Sequence, residues 1–191
     1  MAIILPEHDL NEIIPILFSE IQKGLSRKKH PFKNVVMNTL SGDKPKSRWV
    51  VARKLTPKQH FYVYTDSRSA KIEELKQNHN CSLLFYHNRQ GLQIHFDCLA
   101  KIHQDNQITK TYWPGIRGSS YQNYTTSLPP GSPIDDIKKG HELMAEINSQ
   151  YFTVLELCPQ RVNILQLKKE GHIRAEFNNK SNQWMGRFLV P

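Results

Sequence analysis

The sequence predicts an α+β protein built around an antiparallel β-barrel. Three observations carry this reading. About seven short segments are rich in β-branched and aromatic residues, turn-like connections join most of them, and few helical stretches are present to act as crossovers. A meander of that kind leaves exposed edges, which closure of the sheet on itself removes. The 191 residues, 38% hydrophobic and 23% charged, suit one domain over 1–191 with an ordinary core.

Pro6–Ser26 reads as the first helix, with Leu10, Ile13, Ile14, Leu17, Phe18, Ile21 and Leu25 at helical spacing. Pro15 falls inside it and marks an expected kink or boundary. Arg27–His30 and Pro31 end the helix, and Asn34–Leu40 is the first strand, followed by the turn Ser41–Pro45. Ser47–Leu55 and Phe61–Thr65 form a hairpin about the proline turn Thr56-Pro57-Lys58-Gln59. The chain then becomes polar and enters a helix at Ser69–Asn78. Cys81–Tyr86 is apolar on both faces, as an inner strand should be. Leu92–Lys101 alternates, with Leu92, Ile94, Phe96, Cys98 and Ala100 on one face and Gln93, His95, Asp97 and Lys101 on the other. Asp105–Trp113 is a short helix, and Pro114–Pro133 is a long Gly, Ser, Tyr and Pro-rich loop of the kind that often carries function. Ile134–Phe152 has a helical pattern, and strands at Val162–Leu167, Ile173–Phe177 and Trp184–Val190 complete the chain.

Composition excludes several classes. No apolar run approaches the ~20 residues of a membrane helix, and the N-terminus lacks the basic start of a signal peptide, so a cytoplasmic location is expected. Cys81, Cys98 and Cys158 are far apart without a C-x-x-C pair, and the histidines, His95 and His103 included, have no recognisable ligand spacing. Neither a disulfide framework nor a zinc site is therefore expected. The net charge of +9 fits nucleic acid, an acidic surface or small anions. No nucleic-acid readout motif accompanies it, so no nucleic-acid partner is expected.

The most informative stretch is Ser47–Lys71. A hairpin feeds a helix that starts with hydroxyl residues, and Arg48, Arg53, Arg68 and Lys71 flank that start. Most such junctions bind only water, but a helix N-terminus among cations also suits a phosphate.

In order along the chain, Arg48–Arg53 (R-x-V-V-x-R), Phe61–Thr65 (F-Y-x-Y-T), Ser69–Lys71 (S-x-K), Ser82–Phe85 (S-L-L-F) and Gln93–Phe96 resemble the pyridoxamine 5′-phosphate oxidase family of FMN-binding split β-barrels. Similarity is good over 34–112 and patchy beyond, where Trp184, Leu189 and Pro191 resemble the family's terminus. The resemblance implies a homodimer with FMN at the interface. Arg48 and Lys71 would hold the FMN phosphate with Ser69 and Thr65. Trp49, Val50 and Val51 would run beside the ring, Tyr64 would sit by the ribityl chain, and Gln93 would hydrogen-bond the flavin. Substrate contacts would fall to Arg53, Tyr112, Arg117, Ser120, His172 and Arg174. Ala70 replaces a family arginine, Arg53 a lysine, and His172-Ile173-Arg174 reverses the family's R-x-H order; Leu165 and Glu176 stand where a flavin-contacting tryptophan and arginine are usual. The implied activity is an FMN-dependent oxidoreductase acting on a small anionic substrate, in a branch related to the oxidase. No catalytic acid, base or metal ligand is assigned. The competing reading is a non-flavin barrel, for instance one binding haem through His95 or His172.

Overall fold

The computed structural model describes residues 2–116, 118–181 and 183–191. Eight antiparallel strands form its sheet: β1 (Asn34–Ser41), β2 (Lys44–Leu55), β3 (Phe61–Asp66), β4 (Asn80–His87), β5 (Leu92–Gln104), β6 (Phe152–Gln166), β7 (Ile173–Lys180) and β8 (Gln183–Leu189). Their order is β3-β2-β1-β4-β5-β6-β7-β8, and pairing of β3 with β6 closes the first six into a barrel. The strand β6 explains how one sheet both closes and continues. Its first half, Phe152–Leu157, pairs with β3, and its second half, Arg161–Gln166, pairs with β7 along the same edge. A register shift opposite Asp97 and Cys98 separates the halves at Pro159 and Gln160. Proline cannot donate to a ladder and belongs at such a break.

Helix α1 (Leu10–Ser26) starts four residues later than its apolar pattern predicts, with Asp9 at the N-cap and the Asp9 amide donating to Glu12 Oε2 at 2.8 Å. The helix continues through Pro15, which is exposed. Ile13, Leu17 and Ile21 are fully buried, and Phe18 meets Phe61 and Phe96 of the barrel at 6.4 and 5.8 Å between ring centres. Helices α2 (Ala70–Gln77) and α3 (Gln107–Tyr112) fall where the sequence places them. A smaller core lies outside the barrel wall: Tyr62, Phe152 and Val154 are covered by Tyr124, Ile108, Tyr112 and Trp113.

Two expectations are corrected. Ile134–Phe152 is not a helix; it holds one short 3-10 turn, Ile137–His141, and then feeds directly into β6. Its apolar residues Ile134, Ile137 and Ile147 are exposed, so their spacing marks no buried face. The sixth strand, β6, begins at Phe152, ten residues before the predicted start. Both faces of that first half are buried, which erases the alternation that would identify it. The loop Pro114–Pro133 contains a 3-10 segment, Gly118–Tyr124, and hydrogen-bonds to the following stretch through Thr126 opposite Leu143.

Candidate functional site

The barrel is split where β2 and β3 part. Their pairing runs from Leu55–Phe61 to Ala52–Val63, and the described pairs go no further. Beyond that point Arg48–Val51 on one side and Tyr64–Asp66 on the other line a cleft of about 540 Å³, floored by Ser69 and Lys71 and flanked by Arg53, Asn34, Asn123 and Tyr124. Eight of the nine expected cofactor contacts (Arg48, Trp49, Val50, Val51, Tyr64, Thr65, Ser69 and Lys71) therefore meet in one place. The unpaired edge of β2 also leaves backbone groups open toward it.

Lys71 is the centre of the cleft. Its Nζ donates to Thr65 Oγ1 at 2.9 Å and to Ser69 Oγ at 3.0 Å. Burial, then the neighbouring Arg48 charge, hold its pKa below the ordinary lysine value, with Asp66 and Glu74 opposing. Ser69 is the N-cap of α2, but its hydroxyl donates to the Asp66 carbonyl at 2.7 Å instead of folding over the first turn. Tyr64 carries a phenol pushed up to about 12 by burial and by Tyr112, so it remains a hydrogen-bond donor.

Two residues overlooked in the sequence shape this seat. Glu74 of α2 and Thr39 of β1 are both buried, and Arg48 bonds to both; its Nη2 lies 2.7 Å from Glu74 Oε2. Thr39 in turn donates to Glu74. The signal was present in the spacing, since Glu74 stands one helical turn beyond Lys71 on the same face. Arg68, by contrast, has structural partners. It is paired with Asp66, bonded to the Thr126 and Ser127 carbonyls, and stacked 3.7 Å over the ring of Tyr151. It therefore does not replace the arginine absent at Ala70.

The expected substrate residues divide. Arg53 lines the cleft beside Tyr64, 5.8 Å from its ring centre. Tyr112 lies behind Tyr64, with its hydroxyl accepting from Lys54 Nζ at 2.7 Å. Ser120 sits in the 3-10 segment, and Arg117 lies outside the described residues. Gln93 is on β5 opposite Tyr86, while His172 precedes β7 and Arg174 is within it, opposite Leu165; none of the three lines the cleft of its own chain. His95 faces Asp97 at 3.6 Å, and His172 Nδ1 accepts from the Lys168 amide, so neither expected haem ligand turns toward this cleft.

Fold and cleft together define a split antiparallel barrel whose cleft is lined by cations and hydroxyls. The model of the family described as "Pyridoxamine 5'-phosphate oxidase, FMN-binding domain" matches residues 14–104, and it is the family recognised from the motifs. The chain is similar in fold to a pyridoxamine 5'-phosphate oxidase-related, FMN binding protein of Nostoc punctiforme PCC 73102, at TM-score 0.72 and 17% identity over 96% of this chain and 100% of that one. It is similar also to PhzG from Burkholderia lata 383, solved with tetrahydrophenazine-1-carboxylic acid, at TM-score 0.78 and 20% identity over 98% of both chains. General Stress Protein 26 from Bacillus anthracis shares the fold at TM-score 0.51 and 20% identity, over 79% of this chain and 98% of that one. No curated protein matches by sequence.

Proposed function

We propose that this chain is an FMN-binding oxidoreductase acting on a small anionic substrate. The observation that carries the reading is the convergence of Arg48, Thr65, Ser69 and Lys71 in one cleft at the point where β2 and β3 separate. Two cations and two hydroxyls within reach of each other suit a terminal phosphate better than a neutral group. The residues fit FMN: Lys71, Thr65 and Ser69 would hold its phosphate with Arg48, and the free edge at Trp49–Val51 would lie along its ring. FMN supplies hydride acceptance and donation when bound. The chain's part is to bind, orient and shield. Arg53 at the cleft wall supplies a charge for an anionic substrate, a class that includes the carboxylic acid bound by PhzG.

The test compares FMN with riboflavin, which lacks the phosphate. Arg48→Ala and Lys71→Ala should each weaken FMN binding by about ten- to a hundredfold, the loss of one charge-assisted contact. Riboflavin binding should change by less than about threefold. Equal losses for both ligands, read by flavin fluorescence titration, would remove the phosphate assignment.

A further inference from the structure

The outer face of the barrel holds a second cluster that flavin binding does not use. His60 immediately precedes β3, and Phe61 pairs with Leu157, so His60 comes beside Cys158 on β6. Glu156 lies two residues away on the same strand face. His60 Nδ1 is 2.6 Å from Glu156 Oε1 and 3.5 Å from Cys158 Sγ, and the ligating atoms of all three residues lie within 4.8 Å of one another. The other carboxylate oxygen, Glu156 Oε2, is 2.9 Å from His103 Nε2 on β5.

The proton positions can be deduced. Asn106 Oδ1 accepts from the amides of Ile108 and Thr109 at the start of α3, so its Nδ2 is the atom facing His103 Nδ1, at 3.2 Å. His103 Nδ1 is therefore an acceptor, and its Nε2 carries the proton given to Glu156. His103 thus holds the carboxylate in place and leaves Oε1 directed at His60. The nitrogen that His60 turns into the cluster is Nδ1, and Nε2 can carry the ring proton when Nδ1 offers its lone pair.

We propose that His60 Nδ1, Glu156 Oε1 and Cys158 Sγ bind a Zn²⁺ ion, with His103 as the residue that positions the carboxylate and water as the fourth ligand. One imidazole, one carboxylate and one thiolate form a borderline-soft set that suits zinc; magnesium and calcium take oxygen ligands. A second hydrogen bond on a ligating carboxylate is the usual outer support of such a site. Donors about 2.0–2.3 Å from a tetrahedral zinc stand roughly 3.3–3.8 Å apart. The nitrogen–sulfur separation already meets this; the nitrogen–oxygen contact opens by about 0.7 Å when the shared proton leaves and metal replaces it. On binding, the Cys158 S–H bond breaks, the proton passes to solvent and the sulfur lone pair forms the bond to zinc. The His60 and Glu156 side chains are 17% and 14% exposed, which opens the cluster to an ion from solvent. These residues are dispersed along the sequence, and only the β3–β6–β5 pairing assembles them; for that reason no ligand spacing was visible. A second trio, Glu20, His30 and His87, is chemically poorer. There His30 Nδ1 accepts from the Phe32 amide, so the Nε2 facing Glu20 bears the proton, and no sulfur is present.

The test uses the whole chain, stripped with a chelator and titrated with Co²⁺ and Zn²⁺. One Co²⁺ per chain should bind with a thiolate-to-cobalt charge-transfer band in the near ultraviolet. That band should vanish in Cys158→Ser, and Zn²⁺ affinity should fall at least about tenfold in Cys158→Ser and His60→Ala. His103→Ala should weaken binding by about tenfold while keeping the band, as a positioning residue would. His30→Ala should change neither reading. As a measurement independent of variant folding, Zn²⁺ should slow alkylation of Cys158 in the unmutated chain, followed by peptide mass spectrometry. A missing charge-transfer band at saturating Co²⁺, undiminished Zn²⁺ affinity in Cys158→Ser, or unprotected Cys158 would each overturn the site.

Discussion

At the residue scale, the chemistry of the cleft turns on how Lys71 and Arg48 share their charge. Arg48 is already neutralised in part by Glu74, so Lys71 is the cation whose state a phosphate would feel most. Its pKa is lowered in the free protein by burial and by Arg48, and a bound phosphate would raise it again. The sign follows from linkage. Binding favours the ammonium, so it takes up a proton in the window between the lowered free value and the higher bound one, and affinity falls as pH rises through that window. FMN affinity should therefore decline from neutral to alkaline pH earlier than an ordinary lysine would dictate. Lys71→Arg should flatten the decline, because guanidinium stays charged. Titrations at several pH values check it, and a wild-type profile as flat as that of the variant would refute the role. Much of this site was legible, since Arg48, Thr65, Ser69 and Lys71 lie within one hairpin and helix start. Spacing puts Glu74 on the face of Lys71 but does not tell a buried carboxylate from a solvated one, and Thr39 lies on a separate strand, β1, so neither stood out.

At the element scale, the terminal hairpin shows how one position sets a register. Gly186 on β8 stands opposite Phe177 on β7, and a Cβ built there would lie 2.2 Å from the Phe177 ring. The ring is 2% exposed and packed in the main core, so it has nowhere to yield. Gly186→Ala should destabilise the chain by roughly 1–3 kcal/mol, the usual cost of overpacking. Gly115→Ala, where nothing lies within 4 Å, should cost far less. Chemical denaturation of both variants distinguishes the two cases, and equal midpoints would show that the hairpin adapts. The same scale explains what could be read from the chain. Strands with one polar face, such as β5, announced themselves by alternation. The first half of β6 did not, because the barrel covers one face and Tyr124 with Trp113 lies against the other. The helical spacing at 134–152 misled for the converse reason: periodicity without burial carries no energy.

At the scale of the whole molecule, we propose that a second copy of the chain completes the cleft. Trp49 is 71% exposed and Tyr86 48%, and both line one broad hollow with Asn34, His87 and Arg89 next to the cleft. Large exposed aromatics grouped in this way are a feature of interaction surfaces and ligand grooves. Gln93 is paired with Tyr86 on that side, away from its own cleft, and the family resemblance expects it on the flavin. Both conditions are met if a second copy packs here and each cofactor takes its phosphate grip from one protomer and Gln93 from the other. Light scattering should then give twice the chain mass. A mixing experiment tests the arrangement directly. Lys71→Ala chains lack the grip and Gln93→Ala chains lack the amide, so each homodimer has two damaged sites. In a mixed dimer, the intact Lys71 cleft of one chain faces the intact Gln93 of the other. About half of the mixed-dimer sites should therefore bind FMN with wild-type affinity after the two variants are unfolded and refolded together. If Gln93 serves its own chain instead, no mixture can rebuild a site, and the affinities will remain those of the two parents.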